Sequence, residues 1–585
     1  MDWPRVVAAI DFGTHGSGYA WAVVDSRNDS RSQRDINDCQ VWPDSPRPYP
    51  KTLTALLLRG DEVQEWGHTA EARFGTLVAQ GQQDHRFVHG LKMSLRPRND
   101  PAREREAQSD LPGIADRLGD PVPLISEYLR RLHAVAVADI TKNGIYRETD
   151  IRWCLTVPAM WSEKSMADMR LAAGKAGLPT DSDKLLLVPE PDAAALFCNI
   201  AGIGGPEGED AERGRLRVGS RFVVVDCGGG TVDLVTYQVG DDDTVEQICR
   251  PTGGPFGAEY TSRSFVLDTL GRCFGGDLKL NRLRKDHPAQ VAALVSSWEL
   301  LRNRRTIDDT DPIHLDLPSR LRDALGRTAR KALAKAQKGD DTRIVIPALE
   351  VRRHLDAVVD RIIDCVLAQL TESRAKPGAG AGSEIVFLVG GFAASPYLRQ
   401  RLSAALKGTA RLVVPQHPER AVLFGATHFC YAPYALSARV ARFTYGCKIA
   451  LPFEPGDDQA QTEEDEDDST RRLTTNRFNK FVSINDRIPA GHEAPAQVFV
   501  PTQSAQDFIE FGFFASEHSD PRYVTEPGVR KIGRLRIKLE GSMHLPRVQR
   551  EVDVHMRFDE TEINVRAVNR HTGLTEVATL AFEDQ

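Results

Sequence analysis

An apolar run that ends in an aspartate and leads into glycines constrains the fold of this chain most strongly. In "VVAAIDFGTHGSGYAWAVVD", residues 6–25, Asp11 is separated from a second apolar run by three glycines: Gly13, Gly16 and Gly18. Glycine gives a tight turn its backbone freedom, so the simpler interpretation is a β-hairpin. The alternative is a phosphate cradle, in which backbone N–H groups face a ligand and the carboxylate organises a metal ion.

The same plan returns in "RFVVVDCGGGTVDLVTYQV", residues 221–239, where Asp226 is followed by Gly228–Gly230 and Thr231. Two such hairpins, roughly two hundred residues apart, indicate an internal duplication and predict two similar lobes that face each other across a cleft. Because the phosphates of ATP are densely negative, two sets of backbone N–H donors can clamp them from opposite sides. One aspartate from each lobe can then hold Mg²⁺ largely through its waters.

The bulk properties bound the class of protein. A chain of 585 residues is too long for one hydrophobic core, and 41% apolar and 27% charged residues are typical of a globular protein. The net charge of −7 and the scattered basic residues give no reason to expect a nucleic-acid partner. No apolar run is long enough to span a membrane, and no signal peptide is evident. Nine cysteines without a CxxC motif favour free thiols in a reducing cytoplasm, which is the predicted location.

Up to about residue 440, short β-rich runs alternate with helical patterns, which predicts α/β layers. The strand candidates are "VVAAID", "RWCLTVP", "KLLLVPE", "RFVVVDC", "DLVTYQV" and "EIVFLVGG". The helix candidates are "LISEYLRRLHAVAVADI" and "ALEVRRHLDAVVDRIIDCVLAQL". A third glycine turn, Gly390–Gly391, precedes a predicted helix that begins near Ser395. Residues 96–120, 202–214 and 376–384 read as surface loops.

Beyond about residue 440 the pattern changes to strands with little helical period between them. The candidates are "QVFVPT", "FIEFGFF", "RLRIKLE", "EVDVHMRF" and "INVRAV". In "EVDVHMRF", apolar residues alternate with polar ones, as a half-buried strand requires. A separate all-β domain is therefore predicted, and its acidic run at residues 463–468 is interpreted as a solvated loop.

Five motifs follow one another along the chain. In order they are "IDFGTHGSG", "LTVPAMWSEKSMADMRLAAGKAGL" with "LLLVPEPDAAAL", "VVVDCGGGTVDL", "FLVGGFAASPYL" and "HPERAVLFGA". Together they resemble the actin-like ATPase superfamily and, within it, the 70-kDa heat-shock chaperones. Phe12, "DCGGGTVDL" and "FTYG" resemble the divergent member-twelve branch in particular. "RIPAGHEAPAQVFVPT" and the strands after it look like the β-sandwich that binds substrate peptides in this family.

The resemblance implies a fold of two domains. Residues 1–440 would form a duplicated actin-like, ribonuclease H-like ATPase domain of class α/β, with one lobe at about 1–220 and a second at about 221–425. Residues 441–585 would form an all-β, sandwich-like substrate-binding domain without a helical lid.

The resemblance also implies roles for individual residues. Asp11 and Asp226 would organise Mg²⁺ through water. The phosphates of ATP or ADP would meet the following residues: Gly13, Thr14, His15, Gly228, Gly229, Gly230 and Thr231. Hydrolysis would depend on Lys92 at the γ-phosphate and Glu190 near the attacking water, with Asp226 and Thr231. The nucleoside would meet the following residues, with Glu419 ordering the phosphate region: Glu299, Arg302, Gly390 and Gly391.

Several of these roles have simpler alternatives. Lys92 could be an ordinary surface lysine. Glu299 and Arg302 are three positions apart on a predicted helix, where a surface ion pair is common. Glu190 precedes a proline at a predicted helix start and could merely favour the helix dipole.

The chain departs from the family pattern at several places. Ala394 stands where the family has the arginine that stacks on adenine, which weakens the case for tight adenine binding. His15 replaces a threonine, and Met166 falls near the position of an arginine implicated in interdomain signalling. The Leu- and Asp-rich interdomain linker is also missing.

The implied function is a slow, Mg²⁺-dependent ATPase with chaperone-like polypeptide binding. Its partners would be an adenine nucleotide and an unfolded polypeptide or a specific protein. One alternative is a nucleotide-dependent scaffold with little hydrolysis, in which ATP stabilises the conformation that a partner reads. Another is a small-molecule kinase of the same superfamily, although nothing marks a sugar pocket.

Overall fold

The structure is a computed structural model that describes most of the chain. The described ranges are 4–25, 34–82, 84–95, 120–181, 183–202, 216–337, 339–377, 384–466, 468–559 and 562–580. Apart from a few terminal residues, the predicted surface loops at 96–120, 202–214 and 376–384 lie outside these ranges. The chain divides into two compact units. The first comprises residues 1–160, 168–245 and 251–435, and the second comprises 161–167, 246–250 and 436–585.

Up to residue 435 the described elements alternate between strands and helices. The strands are β1 (Val6–Asp11), β2 (Gly16–Val23), β3 (Asn37–Asp38), β4 (Thr52–Leu53), β5 (Ala55–Arg59), β6 (Glu62–Trp66), β7 (His85–His89), β8 (Ile151–Val157), β9 (Leu185–Pro189), β10 (Arg221–Cys227), β11 (Val232–Val239), β12 (Val245–Gln247), β13 (Thr252–Gly254), β14 (Ile313–Asp316), β15 (Arg343–Ile346), β16 (Glu384–Val389) and β17 (Ala410–Val413). The helices are α1 (Gly67–Ala79), α2 (Val122–Thr141), α3 (Glu163–Lys175), α4 (Glu190–Ala201), α5 (Glu259–Ser264), α6 (Gly271–Phe274), α7 (Asp277–Asp286), α8 (Pro288–Arg302), α9 (Ser319–Ala324), α10 (Arg327–Ala336), α11 (Ala348–Ala375), α12 (Pro396–Ala405) and α13 (Ala421–Tyr431). The six strands and two long helices predicted for this part of the chain are confirmed, as is the helix after Ser395, which caps α12.

The first central sheet is built around β1, whose six residues are all buried. β1 pairs antiparallel with β2 and parallel with β8, and β8 pairs parallel with β9. Parallel strands that are covered on both faces read as continuous apolar runs, which is why "VVAAI" shows no alternation. Asp11 is the last residue of β1, so its carboxylate lies at the edge of the sheet where the glycine turn begins.

A second sheet repeats this connectivity. β10 pairs antiparallel with β11 and parallel with β16, and β16 pairs parallel with β17. Asp226 is the last residue but one of β10, close to the position that Asp11 has in β1, and it lies opposite Asp233 of β11 across the hairpin. Both predicted aspartate–glycine hairpins are therefore present, and each is followed by parallel strands in the same order.

The second unit is made of strands from residue 436 onwards. They are β18 (Leu436–Val440), β19 (Thr444–Pro452), β20 (Thr462–Asp465), β21 (Asp468–Val482), β22 (Arg487–Pro489), β23 (His492–Glu493), β24 (Gln497–Phe499), β25 (Phe508–Ser516), β26 (Val529–Lys538), β27 (Val552–Phe558), β28 (Ile563–Asn569) and β29 (Thr575–Leu580). One five-stranded sheet has the order β20-β21-β19-β25-β26, and the other is β23-β27-β28-β29 with β24 also on β27. Side chains from both sheets share one core, and the predicted alternation of β27 is confirmed.

The sequence predicted a solvated loop for the acidic run at residues 463–468, and the structure differs from this prediction. Its first three residues belong to β20, which pairs with β21 and places Glu464 opposite Arg472. Asp465 also receives an ion pair from Arg547 at 2.9 Å. Opposite charges across the strands make an acidic segment compatible with a sheet edge.

Among the described residues, no helix combines the length and the apolar character that crossing a membrane requires.

Close packing of α4 against α13 generates a stability test. A Cβ on Gly425 of α13 would overlap the carbonyl oxygen of Ala193 in α4, because the two helices touch backbone to backbone there. We expect Gly425→Ala to destabilise the protein by about 1–3 kcal/mol or more, since overpacking forces the helices apart. The urea concentration at the midpoint of unfolding measures this change.

Gly75 of α1 provides the matched control, because a Cβ there would meet no heavy atom within 4 Å. We expect Gly75→Ala to be neutral or to stabilise by up to about 1 kcal/mol, through the better helix propensity of alanine. An equal effect of both substitutions would contradict the backbone contact between α4 and α13.

Candidate functional site

A cleft of about 350 Å³ opens in the first unit, where the three glycine turns converge. It is lined by these sequence-predicted residues: Asp11, Gly13, Thr14, His15, Lys92, Glu190, Asp226, Gly228, Gly229, Thr231, Glu299, Arg302, Gly390, Gly391 and Glu419. Gly230 lies directly behind the lining, since a Cβ on it would meet Thr14 Oγ1 at 2.8 Å. The structure thus brings together residues that span most of the first unit.

The first turn is held in shape by side chains around it. The amide of Gly13 donates to Ser17 Oγ at 3.2 Å, and the Thr54 hydroxyl donates to the Gly13 carbonyl at 2.7 Å. Asp11 Oδ1 accepts a hydrogen bond from Thr156 Oγ1 at 3.0 Å. These contacts fix the Asp11 carboxylate and the turn that follows it before any ligand arrives.

The second turn is braced by the segment that precedes α5. The amides of Ala258 and Glu259 donate to the carbonyls of Gly228 and Gly229 at 3.0 and 2.9 Å. A Cβ on Gly257 would overlap the Gly229 carbonyl, so only glycine permits this approach. The shape of the second turn is therefore set by backbone contacts.

The third turn approaches Asp226 closely. Gly390 has a φ of 85°, and a Cβ on it would overlap the Asp226 carboxylate and the carbonyl of Cys227. Its amide donates to the carbonyl of Pro418 at 3.0 Å, next to Glu419. Glycine is required at residue 390 for both reasons: its left-handed conformation and the lack of space.

Acidic groups outnumber basic groups at the floor of the cleft. Asp11, Glu190 and Asp226 line the floor, Asp233 is buried beside them and outside the lining, and the two ammonium groups are Lys51 and Lys92. Lys51 Nζ lies 2.6 Å from Asp11 Oδ2, and Lys92 is in direct contact with Glu190. Two carboxylates are therefore left without a paired cation among the described residues.

Asp226 and Asp233, the two carboxyls without a paired cation, have raised pKa values. Burial, followed by the nearby Glu190 and Asp233 carboxylates, raises the pKa of Asp226 well above its usual range. Burial and Glu190 raise the pKa of Asp233 to about 7. Burial also raises the pKa of Glu190, and Lys92 opposes this effect. In Asp11 the effect of burial is overcome by Lys51 and Lys92, and the pKa is lowered.

This donor set fits a divalent cation held through water. Asp233 Oδ1 is buried without a hydrogen-bond partner in the described part of the chain, and the floor together with Asp233 has two more carboxylates than ammonium groups. Within the same residues, no three His, Cys, Asp or Glu side chains converge closely enough to hold a metal directly. Mg²⁺ keeps several of its waters and needs only one or two carboxylates nearby.

His15 connects the first turn to the segment that braces the second. Its Nδ1 lies 3.8 Å from Glu259 Oε1, and its Cβ is 3.2 Å from where a Cβ on Gly229 would be. The Glu259 carboxylate, against the opposing effect of burial, raises the pKa of His15 to about 9. The Glu259 carboxylate therefore favours the protonated imidazole, and water screens the pair because the His15 side chain is 62% exposed.

The part of the cleft where a nucleoside is predicted to bind contains a buried guanidinium. Arg302 is 3% exposed, donates to Asn303 Oδ1 at 3.0 Å and lies 5.7 Å from the centre of the Phe392 ring. The alternative of a surface ion pair is wrong for Arg302, because burial removes it from solvent and lowers its pKa. Glu299, on the same helix α8, accepts a hydrogen bond from Ser262 Oγ at 2.8 Å. The cleft lining does not include Ala394.

Burial excludes the simpler alternative for Lys92, whereas Glu190 combines its simpler role with a contact in the cleft. Lys92 is 2% exposed, within a 3₁₀ turn whose residues are all buried, so it is not an ordinary surface lysine. Glu190 begins α4, where it favours the helix dipole as expected, but its carboxylate also contacts Lys92 across the cleft floor.

Comparison with known proteins agrees with the motifs. The chain matches no family model. Human heat shock 70 kDa protein 12A is 26% identical over an alignment of 626 residues, covering 96% of this chain and 89% of that protein, and mouse 12A gives the same values. Human heat shock 70 kDa protein 12B is 27% identical over 643 residues, covering 99% and 91%. Over nearly its whole length this chain is therefore similar to the heat shock 70 kDa proteins 12A and 12B, in agreement with the resemblance that the motifs carry.

Three residues in or next to this cleft were missed by the sequence motifs. Asp233 stands opposite Asp226 in the second hairpin, and its place two residues after Thr231 is a signal that could have found it. Lys51 lies in a proline-rich stretch, and Glu259 lies far from His15 in sequence. No local pattern points to the contacts of these last two side chains.

The His15–Glu259 pair predicts a measurable pH dependence. In Glu259→Gln we expect the pKa of His15 to fall from about 9 toward its ordinary value of 6.5, because the main source of the increase is removed. Nuclear magnetic resonance titration of the imidazole measures this change, with His15→Asn identifying the signal.

The sign for stability follows from the raised pKa. The pair contributes stability that is fully present below about pH 6.5 and is lost as the pH rises through about 9. We expect wild-type protein to lose more stability over this range than Glu259→Gln, whereas Glu62→Gln, at an exposed position of β6, should behave like wild type. Equal pH profiles for all three proteins would show that the pair does not form.

Proposed function

We propose that this chain binds an adenine nucleotide together with Mg²⁺ in the cleft and hydrolyses ATP slowly. The observation that carries the proposal is the cleft floor, where the three glycine turns meet the carboxylates of Asp11, Glu190 and Asp226 and two ammonium groups, with Asp233 buried beside them. Carboxylates next to a phosphate site disfavour phosphate binding unless cations balance the charge. A nucleotide bound to Mg²⁺ brings phosphates for the glycine turns and a cation for the carboxylates. The similarity to heat shock 70 kDa proteins 12A and 12B supports this proposal.

The two hairpins would hold the phosphates. Backbone N–H groups of the turns after Asp11 and Asp226 provide donors, and the braced backbone keeps them in place without reorganisation. Asp11 and Asp226 would hold Mg²⁺ through its waters. When bound, Mg²⁺ neutralises phosphate charge and polarises the terminal phosphoryl group.

Lys92 and Glu190 would serve hydrolysis. The buried ammonium of Lys92 would stabilise negative charge on the γ-phosphate, and Glu190, which contacts it, would orient the attacking water. Water adds to the γ-phosphorus, the bond to the β-phosphate oxygen breaks, and ADP and inorganic phosphate are the products. Glu190, whose pKa is raised by burial, can accept the proton that the water loses.

The adenosine would lie toward α8 and the third turn. Arg302 and Glu299 offer a buried cation and a carboxylate, and Gly390–Gly391 let the backbone approach the nucleoside. With alanine at residue 394, Arg302 beside Phe392 is the guanidinium that the cleft supplies at this end. We expect adenine selectivity to depend on it.

Polypeptide binding would belong to the second unit. Its two sheets share a single core and carry the strands that resemble the peptide-binding domain of the family.

A nucleotide-dependent scaffold with little hydrolysis is the second candidate. The direct contact of Lys92 with Glu190 favours it, because each group neutralises the other.

Calorimetry with ATP, ADP and GTP, each with Mg²⁺ or with excess EDTA, tests nucleotide binding. We expect ATP and ADP with Mg²⁺ to bind, and GTP to bind at least about tenfold more weakly, a difference of about 1.4 kcal/mol. Failure of adenine nucleotides to bind in the presence of Mg²⁺ would overturn both the ATPase and the scaffold.

The contribution of Lys92 separates hydrolysis from binding. We expect Lys92→Ala to reduce phosphate release at least about hundredfold, because electrostatic stabilisation in a buried site is worth that much, while ATP affinity changes by less than about tenfold. Lys142→Ala, at an exposed lysine of the first unit that pairs with Asp139, should leave both unchanged. Phosphate release that is equally slow in wild type and Lys92→Ala would favour the scaffold.

A further inference from the structure

The cleft contains a lysine that none of the motifs includes. Lys51 directly precedes β4, whose residues Thr52 and Leu53 pair with Ser17 and Gly16 of the first hairpin. Its side chain is 17% exposed and lies across Gly18, where a Cβ would come within 3.3 Å of the lysine Cγ. The pairing therefore anchors the Lys51 backbone, and the first hairpin guides its side chain toward the cleft floor.

The Lys51 ammonium faces the carboxylates at the centre of the floor. It lies 2.6 Å from Asp11 Oδ2, while Thr156 occupies the other oxygen of Asp11. Burial lowers the pKa of Lys51, but Asp11 and Asp226 more than offset this, and the pKa is raised. Both Asp11 oxygens thus have partners from the chain itself, and the group on Oδ2 is a permanent cation at neutral pH.

The position of this ammonium matters for any metal that uses Asp11. A cation that approaches Oδ2, directly or through a water, meets a like charge at hydrogen-bond distance, and like charges repel strongly in a buried site. Lysine is a point charge on a flexible four-carbon stem, so its ammonium can turn between neighbouring anions with little movement of the backbone. An ammonium is also a common partner of phosphate oxygens.

We propose that Lys51 is an internal counter-ion of the phosphate cleft, which neutralises Asp11 in the nucleotide-free protein and turns to a phosphate oxygen when a nucleotide binds. This inference rests on the proposed nucleotide site and deepens it. A part of the nucleotide affinity then comes from the chain itself and does not need Mg²⁺. Divalent cations alone bind weakly, because they must displace the ammonium from Asp11.

Calorimetry of ATP binding tests the proposal in wild type, Lys51→Met and Lys51→Arg, each with Mg²⁺ and with excess EDTA. We expect wild type to retain measurable affinity in EDTA, and Lys51→Met to lose at least about tenfold of it, since one charge-assisted contact is removed. With Mg²⁺ the loss of affinity should be smaller. The ratio of the dissociation constant in EDTA to that with Mg²⁺ should therefore be larger in Lys51→Met than in wild type. Lys51→Arg keeps the charge and should keep the wild-type ratio more closely than Lys51→Met does.

A second measurement needs no nucleotide. Titration with Mn²⁺, followed by its paramagnetic signal, reports divalent-cation binding to the free cleft. We expect Lys51→Met to bind Mn²⁺ more tightly than wild type, because Asp11 is released. Lys142→Met, at the exposed lysine paired with Asp139, is the matched control and should bind Mn²⁺ as wild type does. Urea unfolding checks that the variants fold, and Lys51→Gln replaces Lys51→Met where the latter does not.

The outcomes separate this inference from the proposed function. If no variant, wild type included, binds ATP with Mg²⁺, the proposed function fails and the inference fails with it. If wild type binds ATP with Mg²⁺ but Lys51→Met changes the affinity equally in Mg²⁺ and in EDTA, the nucleotide site stands and the counter-ion role is overturned. Unchanged Mn²⁺ affinity in Lys51→Met would also overturn it.

Discussion

The excess of buried negative charge at the cleft floor is the constraint on which the rest of the site depends. Four buried carboxylates, three of them in the cleft lining, interact with only two ammonium groups, and a buried charge without a partner costs several kcal/mol. The molecule accommodates this in two ways. Asp226 and Asp233 hold protons more tightly than usual, and the floor opens into a cleft where a cation can enter. A closed core with these side chains would be unstable, so the carboxylates are better explained by a ligand than by the fold.

The strands and turns that carry the cleft floor could be predicted from the sequence, because each consists of consecutive residues with a local pattern. Buried parallel strands give continuous apolar runs, and the aspartate and glycines at their ends follow without interruption, so β1, β10 and β16 were predicted with their turns. Most of the sequence-predicted site residues lie at the ends of these strands or in the turns that follow, and they come together in one cleft. Their chemical roles stay predictions, since position in a cleft does not by itself assign a reaction.

The features that sequence patterns did not indicate depend on distant contacts. Lys51 reaches Asp11 through the pairing of β4 with β2, and His15 meets Glu259 from the other side of the cleft. The acidic residues 463–465 were expected in a loop, but the opposite charge of Arg472 across the strands makes β20 possible. In each case the partner lies in another element, and only the fold brings the two together. His15 thus has a defined partner, which the family comparison alone did not offer.

The close approach of Gly390 to Asp226 has a mechanical consequence. The third turn would face the nucleoside and Asp226 would face the phosphates, yet the two are in contact with no room even for a methyl group. The amide of Gly390 is also tied to the segment that carries Glu419. The backbone therefore fixes the distance between these two parts of the cleft, and it would likewise fix the distance between the base and the phosphates of a bound nucleotide. A ligand with a longer or shorter spacing between its two ends would not reach both parts at once, so the cleft would select its ligand by length as well as by charge.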